Sequence, residues 1–130
     1  MKALIITDRT ETIQSIAHFI KDTLTDYKFS IIPAEDFKGD ELLPAEIFFL
    51  GCEDPSPTSF AFLEQLFSHI NLASRKCGVF SPKENTNNYL LSILKDSEAF
   101  AVPVLSDSLY DSKGKLKESA VNEWFKQITK

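Results

Sequence analysis

Three polar segments of this 130-residue chain contain side chains that could bind a ligand or carry a reaction. Each follows an apolar run and combines hydroxyl, carboxylate, thiol or amide groups. Hydroxyls beside backbone N–H groups can hold a phosphate, carboxylates can hold Mg²⁺, and a thiol can act as a nucleophile. The candidate residues are Thr7, Asp8, Arg9, Thr10, Glu11 and Thr12 in the first segment, Cys52, Glu53, Asp54, Pro57, Thr58 and Phe60 in the second, and Ser81, Asn85 and Tyr89 in the third.

The sequence does not favour nucleophilic catalysis, and we predict no catalytic residue. No Gly-x-Ser-x-Gly motif is present, and His18 and His69 lie within or near the end of predicted helices, away from the polar segments. Cys52 is a nucleophile in one of the segments, but the neighbouring Glu53 and Asp54 should raise the pKa of its thiol. We interpret Cys52 as a buried structural thiol.

The carboxylates of Asp8, Glu53 and Asp54 would converge if the first two segments are neighbours in space. Three carboxylates suit Mg²⁺ better than zinc. We interpret them instead as a solvated acidic rim, a name used below for these three residues, and predict no metal site. Two cysteines are too few for a disulfide scaffold or a thiolate zinc site, which indicates a reducing compartment.

Five apolar runs predict the β-strands that position these segments, at residues 3–6, 27–32, 47–50, 77–80 and 99–105. The first, third and fourth runs are continuously apolar, as in strands that are buried on both faces. The second alternates apolar with polar residues and ends at Pro33. The fifth contains Pro103, which removes a backbone donor. Both features indicate strands at the edges of a sheet.

Apolar residues with helical spacing follow four of these runs, and the alternation of strands and helices predicts a parallel sheet with right-handed crossovers. A short helix is also predicted between Ala34 and Pro44, and the second main helix should begin near Thr58 or Ser59. The apolar stripes are Ile13, Ile16, Ala17, Ile20 and Leu24; Leu63, Leu66, Phe67 and Ile70; Tyr89, Leu90, Ile93 and Leu94; and Leu116, Ala120, Trp124 and Ile128.

The strand order 2-1-3-4-5 places the two edge-like strands at the margins and the three apolar runs inside. The predicted fold class is therefore α/β, a single three-layer α/β/α domain over residues 1–130 with a five-stranded parallel sheet. Ligands of such sheets bind outside the carboxyl ends of the strands where the order reverses, here between the first and third strands. Cys52 follows the third strand and Cys77 begins the fourth, so they should lie roughly 15 Å apart at about 3.3 Å per residue and form no disulfide.

The formal net charge of −5 argues against nucleic-acid binding, which depends on clustered Lys and Arg. No run approaches the 18 or so apolar residues of a membrane span, and we expect no signal peptide. These features predict a cytoplasmic protein that binds neither nucleic acid nor membrane. The sequence carries no signal for an oligomeric state.

Several segments match one known family in order and spacing. They are Lys2 to Ile6 leading into Thr7 to Thr12, residues 47–51 followed by Pro57-Thr58 and Phe62-Leu63-Glu64-Gln65-Leu66, then Gly78-Val79-Phe80, and Ala101-Val102-Pro103 before the last helix. This pattern resembles the flavodoxin family over nearly the whole chain. The resemblance implies a flavodoxin-like fold and a flavin carrier for electrons. It also implies that the first segment holds the FMN phosphate and that the other two hold the isoalloxazine ring.

The chain departs from that family's first loop, which usually runs Ser/Thr-x-Thr-Gly-x-Thr. Thr10 occupies the glycine position and Arg9 the third position. A Cβ at the glycine position resists the close approach of a phosphate, and Asp8 and Glu11 repel it while Arg9 offsets only one of them. We therefore predict no bound cofactor and a non-catalytic partner-binding or regulatory protein that uses the acidic rim. An FMN-binding electron-transfer protein is the alternative.

A receiver domain of two-component signalling has the same architecture and is a further alternative. Asp8, Asp54 and Ser81 partly match the acids and the hydroxyl that such a domain needs. Residues 103–106 supply no lysine after the fifth strand, and only one acid follows the first strand directly. Phosphorylation is therefore the less favoured interpretation.

Overall fold

The computed structural model describes residues 1–55 and 60–130. The strands are Lys2–Thr7 (β1), Lys28–Pro33 (β2), Ile47–Gly51 (β3), Lys76–Ser81 (β4) and Phe100–Leu105 (β5). The α-helices are Glu11–Thr23 (α1), Ala61–Phe67 (α2), Glu84–Leu94 (α3) and Glu118–Thr129 (α4), and short 3-10 turns lie at Asp40–Leu42, Lys95–Ser97 and Ser106–Leu109. Within these residues no helix has both the length and the apolar character to cross a membrane.

The five strands form one parallel sheet with the order β2-β1-β3-β4-β5. This order confirms the predicted three-layer flavodoxin-like architecture, with β2 and β5 at the edges. Pro103 lies in β5 opposite Val79 of β4, and an edge strand tolerates the missing N–H of a proline.

Side chains of the central strands alternate between the two faces of the sheet, and helices cover both faces. Leu4 and Phe48 pack with the apolar residues of α2 and α3, whereas Ile5 and Phe49 pack with those of α1 and α4. Because neither face is open to water, β1 and β3 are apolar along almost their whole length.

The carboxyl end of β3 depends on a close approach between Gly51 and the ring of Phe80. The two residues are register partners, and a Cβ on Gly51 would overlap that ring. The ring also lies edge-on to Trp124 of α4, with 5.9 Å between the ring centroids. A glycine at this position therefore leaves room for the Phe80 ring directly beneath the loops that follow β3 and β4.

Between Ala34 and Pro44 the structure has only the 3-10 turn Asp40–Leu42 where a short helix was predicted. The guanidinium of Arg75 anchors this segment, because it donates to three of its carbonyl oxygens. The acceptors are Leu42, Leu43 and Ala45. An anchor about thirty residues away in sequence leaves no local periodicity, so the sequence pattern could not reveal it.

Three of the predicted apolar stripes extend beyond the helices that carry them, the first only by its last residue, because Leu24 is the C-cap residue after α1. α2 ends three residues before Ile70, and both Ile70 and Leu66 are only half-buried. Leu116 precedes α4 and forms an isolated antiparallel bridge with Tyr110, so the buried face of α4 is instead Val121, Trp124 and Ile128. The predicted start of the second main helix, near residues 58 and 59, lies outside the described residues.

The cysteines lie where the predicted order places them. Cys77 is the register partner of Phe48, which precedes Cys52 by four residues along β3. Both thiols are buried and neither is in a disulfide. The prediction that they form no bridge is confirmed.

Candidate functional site

The loops that follow β1 and β3 lie side by side at the carboxyl edge of the sheet. Thr7 and Gly51 are register partners, and the N–H of Asp8 donates to the carbonyl of Gly51 at 3.1 Å. The strand order reverses at this point, which is where open parallel sheets bind their ligands. The fold therefore brings the first two predicted segments together, and the loop after β4 lies beside them.

The Asp8 side chain lies between the two loops and is only 8% exposed. One carboxylate oxygen accepts hydrogen bonds from the Thr10 N–H at 3.1 Å and the Thr10 hydroxyl at 2.6 Å. The other oxygen accepts from the N–H of Glu53 at 2.7 Å. Since hydrogen bonds to an ionised acceptor are among the strong ones, Asp8 fastens the β1 loop to the β3 loop.

Thr7 and the start of α1 are held by Gln14. Its side-chain amide donates to the Thr7 hydroxyl oxygen and to the Asp8 carbonyl, each at 2.8 Å. Thr10 is the N-cap residue of α1, and Glu11 and Thr12 are exposed in its first turn. The Thr7 and Thr10 hydroxyls are thus both engaged in bonds within the loop.

Arg9, the cation of the β1 loop, turns toward the loop after β2. Its guanidinium lies 3.0 Å from the Asp36 carboxylate and 3.5 Å from that of Glu35. All three side chains are largely exposed, so these ion pairs contribute little to stability. Their effect on the site is that the guanidinium of Arg9, the cation next to Thr10 in the chain, is already paired with carboxylates of the β2 loop.

The loops after β3 and β4 are also joined to each other. The Thr86 hydroxyl donates to the Glu53 carbonyl at 3.0 Å. The Lys83 ammonium donates to both carboxylate oxygens of Asp54, at 2.6 and 2.7 Å, and this hydrogen bonding raises the pKa of Lys83. Direct contacts therefore connect the three loops that converge where a ligand of this fold would bind.

Cys52 is fully buried under these loops, and its N–H donates to the Phe80 carbonyl at 3.2 Å. Burial, and after it the Asp8 carboxylate, raises the pKa of the Cys52 thiol well above its ordinary value. A neutral and inaccessible thiol is a poor nucleophile. The position agrees with a structural thiol.

The remaining candidate residues occupy different environments. Phe60 is fully buried, so its ring does not face a ligand at the surface. The buried Ser81 hydroxyl accepts a hydrogen bond from the Lys83 N–H at 3.1 Å, and Asn85 is exposed in the first turn of α3. Burial and the Glu64 carboxylate raise the pKa of Tyr89 to about 12. Pro57 and Thr58 lie outside the described residues.

The carboxylates of the acidic rim do not form a metal-binding cluster. Asp8 is turned inward, while Asp54 is paired with Lys83. Over residues 1–55 and 60–130, no group of three or more His, Cys, Asp or Glu side chains is arranged to hold a metal ion.

Three residues of the site were missed by the sequence analysis, namely Gln14, Lys83 and Thr86. Thr86 carried a usable signal: it lies four residues before Leu90 on the apolar stripe of α3, and a polar residue on such a stripe needs a buried partner. Gln14 and Lys83 are ordinary polar residues near helix starts. Only the neighbouring loops give them their roles.

The chain was compared with protein families, curated proteins and solved structures. Neither a family model nor a curated protein matches it. Its structure is similar to that of a short-chain flavodoxin associated with a non-canonical PDU bacterial microcompartment, with a TM-score of 0.76 and 11% identity over 99% of this chain and 97% of that one.

Two further solved structures have the same fold. Flavodoxin 2 from Bacillus cereus has a TM-score of 0.68 and 19% identity, over 99% of this chain and 96% of that one. A Fusobacterium nucleatum flavodoxin variant bound to flavin mononucleotide has a TM-score of 0.66 and 12% identity, over 98% of this chain and 94% of that one. This protein therefore has a flavodoxin-like fold.

Proposed function

We propose that this flavodoxin-like domain binds a protein partner at the carboxyl edge of its sheet and holds no flavin tightly. The partner would contact Glu53 and Asp54, the residues of the acidic rim that reach the surface, together with the rest of a carboxyl-edge surface, whereas Asp8 of the rim is turned inward. We define that surface as the four residues that follow each of β1, β2, β3 and β4, namely residues 8–11, 34–37, 52–55 and 82–85. One observation carries the proposal: the Asp8 carboxylate already accepts hydrogen bonds from the N–H and hydroxyl of Thr10 and from the N–H of Glu53, three donors that a phosphate between these loops would use.

A phosphate in the β1 loop would need the N–H groups and hydroxyls at the start of α1. The N–H and hydroxyl of Thr10 donate to Asp8 instead, and the N–H of Glu53 joins them from the next loop. A phosphate would have to displace a carboxylate that belongs to the loop itself, and would then lie against its negative charge. These residues do not fit the phosphate of FMN.

The charge of the carboxyl-edge surface favours a basic partner. Besides the buried Asp8, its sixteen residues include six carboxylates and two cations. Both cations are already in ion pairs, Arg9 with acids of the β2 loop and Lys83 with Asp54. A surface with this excess of negative charge steers and orients a positively charged protein surface.

The flavin part of the proposal is tested by titrating FMN with the purified protein and following quenching of FMN fluorescence. We expect a colourless protein and no saturable quenching at micromolar concentrations. An FMN-loaded flavodoxin, stripped and measured in the same buffer, is the positive control. A yellow protein, or saturable quenching at micromolar concentrations, overturns the proposal.

The partner part is tested by reversing charge at the acidic rim, with Glu53→Lys and Asp54→Lys in one variant. The matched control is Asp26→Lys with Glu46→Lys, which changes the net charge equally at exposed positions just before β2 and β3, at the opposite edge of the sheet. A protein retained from a cell extract by the immobilised chain should be retained by the control and lost by the rim variant. Equal retention by both variants contradicts a role for the rim.

An FMN-binding electron-transfer protein is the second candidate, favoured by similarity to the Fusobacterium nucleatum flavodoxin variant that binds FMN. In this case the loops would have to open. Asp8 would release Thr10 and Glu53, and Lys83 would release Asp54. The FMN titration decides between the two candidates.

A further inference from the structure

A small cavity lies beside the carboxyl-edge surface, between the start of α3 and the end of β5. Its volume is about 260 Å³, which is below the range of about 300–1,000 Å³ typical of small-molecule sites. A cavity of this size suits a single side chain. It is lined by Glu84, Asn87, Asn88, Pro103, Val104 and Leu105.

We propose that this cavity receives a basic side chain, lysine or arginine, of the protein partner. The inference rests on the proposed function and specifies the chemistry of the partner. It gives Glu84, which belongs to the carboxyl-edge surface, and Asn87, which lies next to that surface, a direct role in recognition.

Asn87 supplies an acceptor that lacks a donor. The residue is only 4% exposed, and its side-chain N–H donates to the Val104 carbonyl at 2.8 Å. Its side-chain oxygen is buried and receives no hydrogen bond from residues 1–55 and 60–130. A buried amide oxygen without a donor is unfavourable, so a ligand that brings an N–H group gains the bond that the free protein lacks. Because this oxygen is covered in the free protein, the cavity must widen before a ligand reaches it.

Charge at the cavity selects a cation. Glu84 is exposed in the first turn of α3 and forms no ion pair within the described part of the chain. Its carboxylate offsets the partial positive charge of the helix start and repels anions. Ammonium and guanidinium groups carry N–H donors and no acceptor, which matches a cavity whose lining residues include the Glu84 carboxylate and the covered, unpaired side-chain oxygen of Asn87.

The cavity wall suits the alkyl part of such a side chain. Leu105 is 43% exposed at the end of β5, and Pro103 lines the same cavity. Lysine and arginine place their methylene groups along apolar surfaces of this kind while the charged end stays among polar groups.

The experiment is a ¹⁵N NMR titration of the full chain with single-residue probes. The probes are the N-acetyl methylamides of lysine and arginine, with that of norleucine as an uncharged control for the alkyl part. We expect saturable shifts at the Asn87 side-chain amide and the Leu105 backbone amide with lysine or arginine, and none with norleucine. Whichever cationic probe shifts these signals at the lower concentration identifies the preferred side chain. Equal shifts with norleucine, or shifts confined to Thr7 to Thr12, overturn the inference.

Glu84→Gln should weaken binding of the cationic probe by about two- to fivefold, the size expected for one exposed ion pair. Asp96→Asn is the matched control, since it removes the same charge at an exposed position near the far end of α3 and should leave binding unchanged. Equal affinities of the two variants also overturn the inference. FMN is added to the same samples afterwards, and if it binds, the proposed function fails. If neither the probes nor FMN cause shifts, only the inference about the cavity fails.

Discussion

Replacing Asp8 with alanine removes a carboxylate that accepts three hydrogen bonds, two from Thr10 within the β1 loop and one from the N–H of Glu53 in the β3 loop. A hydrogen bond to a charged group contributes about 1.5–3 kcal/mol, but the three bonds share one acceptor group and their effects are not additive. Water molecules at the edge of the sheet can accept hydrogen bonds from some of the donors that lose Asp8, which reduces the cost. We therefore expect Asp8→Ala to lower the free energy of unfolding by about 2–4 kcal/mol.

Urea unfolding followed by tryptophan fluorescence measures this loss. Trp124 is the only tryptophan and lies 5.3 Å from Phe49 and 5.9 Å from Phe80 between ring centroids, so its emission reports loss of the core beneath the loops. Asp8→Asn keeps the size and shape of the side chain, but its NH₂ group is a donor and would face one of the N–H groups that now donate to Asp8. It should therefore cost about 1–2 kcal/mol.

Asp54→Ala is the control, because Asp54 is an exposed carboxylate whose ion pair with Lys83 should be worth less than about 1 kcal/mol. If Asp8→Ala costs no more than Asp54→Ala, water satisfies the donors as well as Asp8 does. The carboxylate would then be no obstacle to a phosphate, and the main support for the proposed function would be lost.

Three other predictions test the surroundings of the site. In a Cys77→Ala variant, the thiol of Cys52 should react with an aromatic disulfide reagent at pH 8 at least about a hundredfold more slowly in the native protein than in urea. The reason is that burial and a raised pKa keep the thiol neutral and covered. A native rate within a few fold of the unfolded rate refutes this. Tyr89, with a pKa raised to about 12, stabilises the folded state below pH 10, its ordinary pKa, and loses that contribution as the pH rises toward 12. Absorbance at 295 nm should show that Tyr89→Phe removes a component that ionises above pH 10, and removal of a component that ionises at pH 10 or below contradicts the shift. Gly51→Ala should cost about 1–3 kcal/mol in urea unfolding, since its Cβ would overlap the ring from β4, and an unchanged midpoint would show that the ring moves aside freely.

Much of the fold could be predicted from local patterns. Continuous apolar runs marked β1, β3 and β4 because strands covered on both faces have no side exposed to water. Alternation in β2 and Pro103 in β5 marked the edges, and among the common orders of doubly wound sheets the order 2-1-3-4-5 agrees with these edges. Helix boundaries were less accurate, as α2 and the start of α4 show, because the apolar stripe continues into segments that pack without being helical.

The character of the site could be predicted only in part. The sequence showed Thr10 where the first loop of flavodoxins usually has a glycine, and it showed the carboxylates around Thr10. It also predicted that Cys52 is buried. The roles of Gln14, Lys83 and Thr86 were not visible, because each depends on a loop that follows a different strand.

The sequence by itself determined the sheet, its edges and the acidic composition of the loops, since these follow from hydrophobic periodicity and residue type within short windows. Only the tertiary structure decided that Asp8 turns inward to accept the N–H of Glu53, forty-five residues away. That contact exists because the register sets Thr7 beside Gly51, so two loops remote in sequence meet at one edge of the sheet. A hydrogen bond between distant loops depends on strand pairing and leaves no trace in local sequence.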